Sequence, residues 1–124
     1  EFRRVLFRSY RPDGEEFGTM RIVDERGQRS ITHYKVIESF KDADLVECLL
    51  ETGRTHQIRV HMKHLGHPIY GDTLYGFEGD EELIPRQALH AYGLDFKSPK
   101  TKETLSLRAK LPDDMESLLK KVGR

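Results

Sequence analysis

The hydrophobic period changes once, at residues 52–53, and that change limits the folds open to this chain. Ahead of it, residues 31–40 (ITHYKVIESF) and 45–51 (LVECLLE) are rich in β-branched and aromatic side chains and read as two strands. The polar residues 41–44 suit a tight connection, so the pair reads as an antiparallel hairpin. Behind the change, in residues 55–66 (THQIRVHMKHLG), Ile58, Met62 and Leu65 recur at i, i+4 and i+7, the stripe of an amphipathic helix. Gly66 stands where a C-terminal cap glycine belongs, and His67-Pro68 forbids continuation. Lys63 and His64 in the last turn suit the helix dipole. Thr52 and Thr55 are both candidates for the N-cap, and the spacing allows either.

The rest of the chain follows the same alternation of types. Residues 11–18 are polar with a Pro-Asp-Gly turn, residues 20–23 read as a short strand, and residues 24–29 form a turn pivoting on Gly27. Residues 66–76 form a glycine-punctuated loop, and residues 77–85 an acidic surface stretch. Residues 88–96 and 103–108 read as strands. After Pro112 comes a short terminal helix, with Asp113 and Asp114 at its start and Lys120 and Lys121 near its end. Strands, helix, loop, strands, helix: this order predicts an α+β domain with a mixed, largely antiparallel sheet, a central helix and a short C-terminal helix. A doubly wound fold needs a regular strand–helix alternation that the chain lacks. Residues 1–10 stand apart. The stretch EFRRVLFRS reads as a doubtful or non-native tail, either vector-derived or left by trimming, and both readings place an upstream part outside residues 11–124.

Basic and acidic residues balance, 21 against 21, so any nucleic-acid footprint must be local. One span supplies it. Residues 52–71 contain no acidic side chain but hold Arg54, Arg59, Lys63 and four of the six histidines: His56, His61, His64 and His67. His56, Arg59 and Lys63 can share one helix face while Ile58, Met62 and Leu65 face the core. Two readings stand level: a solvated helix face, or a contact surface for phosphate or nucleic acid, to which the planar fork of arginine is well suited. A metal site on His61, His64 and His67 is disfavoured, because no cysteine or carboxylate completes the set. The glycine patterns of nucleotide-binding loops are missing. In the loop, His67 and Asp72 are expected to supply hydrogen bonds, a structural role. Cys48, the single cysteine, lies in an apolar run and reads as a small core hydrophobe; its solitude fits a reducing compartment. No apolar stretch is long enough to span a membrane.

Residues 50–76 (LETGRTHQIRVHMKHLGHPIYGDTLYG) closely resemble the third conserved motif of the RluA-type RNA pseudouridine synthases and the loop that follows it. Residues 32–40, 83–99 (LIPRQALHAYGLDFKSP) and 101–119 (TKETLSLRAKLPDDMESLL) resemble the flanking parts of the same catalytic domain, so the likeness runs from about residue 19 to residue 119. It implies a cofactor-free isomerase of the cytoplasm. Such an enzyme flips a uridine out of structured RNA (ribosomal RNA first, transfer RNA second, not DNA), detaches the uracil and rejoins it through carbon 5. Carried over position by position, Arg59 is the catalytic arginine expected to hold an aspartate ionised. Ile58 is expected to pack near the base. Arg54, His56 and Lys63 are expected to position RNA, and Asp72 and Tyr75 to be architectural. The aspartate belongs to an upstream H-R-L-D motif that this sequence does not contain; neither Asp13 nor Asp24 has its context, and neither Tyr10 nor Tyr34 matches the family's base-stacking tyrosine. The resemblance therefore makes residues 11–124 the C-terminal portion of the catalytic domain, inactive alone, with a non-catalytic RNA-binding remnant as the alternative. A sheet divided in this way is expected to expose edges and be prone to aggregate.

Overall fold

A computed structural model describes residues 2–8, 17–23, 29–53 and 56–124. In chain order these form β1 (Phe2–Arg8), β2 (Phe17–Val23), β3 (Arg29–Ser39), β4 (Ala43–Leu50), α1 (Gln57–His64), β5 (Leu89–Lys97), β6 (Thr104–Arg108) and α2 (Asp113–Val122), with one 3-10 turn at Asp80–Glu82. The strands make a single sheet in the order β2-β3-β4-β1-β5-β6, and every described pairing is antiparallel. This is the α+β architecture that the change of period predicts. The turns read around residues 12–14 and at Gly27, and the candidate cap Thr55, lie outside the described residues.

The β3–β4 hairpin forms as expected. Thr32 lies opposite Leu50, Tyr34 opposite Cys48 and Val36 opposite Val46, which puts all six on the core face. The register shifts after Val36, leaving Ile37 as an exposed extra residue, and the turn closes where the Phe40 amide donates to the Ala43 carbonyl at 2.8 Å. Phe2–Arg8 had no predicted element. It forms β1 and joins the two halves of the sheet, with Val5 opposite both Val46 and Leu89. Arg3, Arg4 and Arg8 interrupt the alternation that would have marked it as a strand.

Helix α1 is shorter than its stripe suggests. Eight residues are marginal as an isolated helix, so its stability comes from packing. Ile58 and Met62 are buried in the core cluster, and Leu65 packs partly buried against it. Each such side chain contributes roughly 1.5–3 kcal/mol. The C-terminus closes as the glycine predicts. Gly66 takes φ +84°, its amide donates to the Lys63 carbonyl (2.9 Å), and the His67 amide donates to the Met62 carbonyl (3.0 Å), the paired bonds of a Schellman cap.

Helix α2 covers the same core with Met115, Leu118 and Leu119. A bidentate pair ties it to the segment before β5: Arg86 Nε and Nη2 donate to the Asp114 carboxylate at 2.7 and 2.9 Å. The acidic stretch is not all surface, as the sequence suggested. Asp80 and Ile84 are buried, and Asp80 Oδ2 accepts the Gly71 amide at 3.1 Å. A carboxylate can enter the interior when a backbone donor waits for it, which composition does not reveal.

Candidate functional site

The turn into α1 is built on polar contacts to β3. Thr52 is not the helix cap. Its hydroxyl accepts the Ile31 amide (3.0 Å) and donates to Gln57 Oε1 (2.6 Å). The buried Gln57 amide then donates to the Ile31 carbonyl and to Thr32 Oγ1, both at 2.9 Å. One turn on, His61 Nδ1 shares a 2.7 Å hydrogen bond with the same Thr32 hydroxyl. Burial, and to a lesser degree the neighbouring His64, lowers the His61 pKa from 6.5 to about 4, so the ring is neutral at pH 7. Its Nε2 has no hydrogen-bond partner among the described atoms. The cap position belongs to His56, held in the left-handed conformation at φ 53° with no side-chain cap. Such a conformation costs a β-carbon-bearing residue on the order of 1–3 kcal/mol and is concentrated at functional sites.

This frame fixes where Arg59 points. Its Nε donates to Asp72 Oδ2 at 2.8 Å and its Nη2 to Asp72 Oδ1 at 2.7 Å. The arginine side chain is 13% exposed and the Asp72 side chain 0%. Asp72 Oδ1 also accepts the amides of Leu74 (3.0 Å) and Tyr75 (3.1 Å). That turn brings the Tyr75 ring to 5.3 Å from the guanidinium carbon, while the Tyr75 hydroxyl lies 3.3 Å from His56 Nδ1. Burial raises the Asp72 carboxyl, but the Arg59 bonds and the two amides outweigh it and hold it below the usual carboxylate range. The same hydrogen bonds raise the guanidinium of Arg59. The site therefore carries a permanently charged, oriented arginine.

The expected site residues are thus divided. Arg59 and His56 meet through Tyr75. Lys63 stands exposed one turn further along α1. Ile58 is buried in the core. Arg54 lies outside the described residues. The basic span is less basic than its sequence: His61 is a buried neutral ring, burial also lowers His67, partly offset by Asp44, and the charge of Arg59 is matched by Asp72. Two of the Arg59 nitrogens are engaged by Asp72, a partner that the sequence reading did not assign to it. Asp72, read as a loop residue, was the one underestimated. Its place one residue beyond the acid-free span was the available signal. Among the described residues no cluster of potential metal ligands forms, and no helix is long and apolar enough to cross a membrane.

Residues 13–64 match the family model described as RNA pseudouridylate synthase. The chain is 51% identical over 100 residues to the uncharacterized RNA pseudouridine synthase YjbO of Bacillus subtilis, covering 81% of this chain and 35% of that protein. It is 46% identical over 110 residues to ribosomal large subunit pseudouridine synthase D of Neisseria meningitidis, covering 81% of this chain and 29% of that protein. The chain thus spans about a third of the length of these relatives. Among solved structures, human RNA pseudouridylate synthase domain containing 1 superposes with a TM-score of 0.72 at 27% identity, over 88% of this chain and 53% of that one. Human RNA pseudouridylate synthase domain containing 4, at 22% identity and a TM-score of 0.76, shares the fold over 98% of this chain and 61% of its own. The chain therefore belongs to the RluA-type RNA pseudouridine synthase family.

Proposed function

We propose that residues 11–124 are the C-terminal portion of the catalytic domain of a longer enzyme that isomerises specific uridines in RNA, and that this portion supplies Arg59. The observation that carries the reading is the fixed guanidinium: a buried carboxylate, a tyrosine ring and a packed helix hold it in one orientation, with nitrogen positions left over for a reacting partner. In the whole enzyme that partner is the aspartate of the upstream motif, which Arg59 keeps ionised by a charge-assisted pair. Ile58 supports the base-binding cleft from beneath. Arg54, His56 and Lys63 contact the RNA backbone. The names of several relatives favour large-subunit ribosomal RNA over transfer RNA as the substrate, and the cytoplasm is where such an enzyme meets it. No cofactor is required.

The test follows from the chemistry. When carbon 5 of uracil takes over the bond to ribose, its hydrogen leaves to water. Ribosomal RNA transcribed with tritium at uridine carbon 5 should release label with the full-length synthase and none with the 124-residue chain. Label released by the chain alone would refute the division proposed here. The alternative, a non-catalytic RNA-binding remnant, predicts no release from either protein and an affinity that falls steeply with salt.

A further inference from the structure

We propose that Asp72 is the positioning residue of Arg59: it takes the side edge of the guanidinium and leaves only the far end for a second anion. The inference rests on the catalytic reading of Arg59 and adds a residue to it. A guanidinium has five N–H donors in a planar fork. Asp72 uses two of them, the Nε–H and one Nη2–H, through both carboxylate oxygens. The Tyr75 ring lies against the same group. What remains is the end formed by Nη1 and the second Nη2–H, and these donors have no partner among the described residues. A carboxylate or phosphate that joins Arg59 while Asp72 stays in place must arrive end-on, in the plane of the fork.

Asp72 is built to hold rather than to react. Its side chain is fully buried and its Oδ1 is shared between Arg59 and the amides of Leu74 and Tyr75. Its backbone is locked as well: its amide donates to the Ile69 carbonyl (3.3 Å) and its carbonyl accepts the Gly76 amide (2.8 Å). The carboxylate also matches the arginine charge, so a second anion meets a neutral pair. Asp72 therefore gives Arg59 direction at the expense of electrostatic pull. Removing the charge of Asp72 should loosen the aim of Arg59 and strengthen its non-specific attraction for RNA, a combination that mere structural damage does not produce.

Asp72→Asn separates these effects, because the amide oxygen of asparagine still accepts the Leu74 and Tyr75 amides. The first measurement uses the 124-residue chain and is independent of activity. Arginine labelling by phenylglyoxal, read by peptide mapping, should modify Arg59 about tenfold faster in the variant, with Arg108 as an internal reference whose rate is unchanged. The second uses the full-length synthase. Asp72→Asn should lower kcat by about 10²-fold while KM stays level or falls. Equal labelling of Arg59 in both chains would show that the clamp does not exist in solution. Faster labelling with kcat within about threefold of wild type would show that the clamp does not serve the reaction. A rise in KM with unchanged kcat would make Asp72 a binding or folding residue and overturn the proposal. A wild-type synthase that isomerises no uridine would overturn the functional reading, and the catalytic use of the clamp with it, while the labelling still reports whether the clamp forms.

Discussion

Burial of the His61 ring leaves a titration signature. Its pKa falls from 6.5 to about 4 on folding, so between those values the unfolded chain binds a proton that the folded chain refuses. Stability is complete above pH 6.5 and falls as the pH drops toward 4. This single group accounts for roughly 2 kcal/mol between pH 7 and pH 5. Urea unfolding at the two pH values should show a loss of that order, and a His61→Gln chain should show a smaller one. An unchanged midpoint between pH 7 and 5 would mean that the ring is charged or exposed. The Asp72 carboxyl acts in a separate window. Held low by Arg59, it gives up its stabilising charge only at pH values below the ordinary carboxylate range. Cys48 behaves as the sequence suggests: burial, followed by the charge of Glu47, pushes its pKa up to about 12. A thiol reagent should find it unreactive in the native chain and reactive at once in denaturant; rapid native labelling would place β4 differently. These residues mark where sequence reading succeeds and where it stops. Cys48 was legible because its neighbours are apolar. His61 was counted with the basic residues because its partner, Thr32, is 29 positions away.

The elements that hold the site were legible in proportion to their periodicity. Ile58, Met62 and Leu65 gave α1, and Gly66 gave its end. The loop of residues 66–76 has no period, and its order comes from long-range contacts. Gly71 shows this best. At φ +76° its amide reaches the buried Asp80 carboxylate, and a β-carbon there would lie 2.0 Å from the Arg86 carbonyl oxygen. Alanine at this position brings both backbone strain and a clash with main chain that cannot swing away. The cost should be about 3 kcal/mol or more, and because Asp72 is the next residue, Arg59 should become reactive toward phenylglyoxal at the same time. Thermal unfolding and arginine labelling of Gly71→Ala measure both. A variant within about 0.5 kcal/mol of wild type would show that the loop does not press on the segment before β5. Nothing in the local sequence announces that contact, just as nothing announced that Asp80, inside an acidic run, would be buried.

At the scale of the molecule, both helices contribute to one core cluster, while the β5–β6 hairpin carries exposed apolar side chains. Leu94 lies opposite Leu107 and Phe96 opposite Leu105, so all four share one face of the β5–β6 hairpin, and all four are exposed. Among the described strands β6 also lies at an edge of the sheet. Exposed apolar side chains beside an unpaired edge favour self-association. The chain should therefore show rising light scattering as its concentration increases, and Leu105→Lys combined with Leu107→Thr should reduce it without lowering the thermal midpoint. Sharp, dispersed amide resonances from a monomeric wild-type chain would contradict this. The overall fold class was legible from the order of periods alone. The place of Phe2–Arg8 within the sheet was not, because its arginines masked the alternation. The family was legible through the stretch of residues 50–76, which carries both Arg59 and Asp72.

The central claim is that this portion of the fold exists to hold one arginine in one orientation for uridine isomerisation. Release of tritium from uridine carbon 5 by the full-length synthase, compared between wild type and Arg59→Ala at saturating RNA, tests it most directly. The account predicts a fall in kcat of about 10²-fold or more, the effect of losing an oriented electrostatic group, with the protein still folded and still binding RNA. A variant that turns over at the wild-type rate and loses only salt-dependent RNA affinity would contradict it, and would make Arg59 a phosphate contact instead.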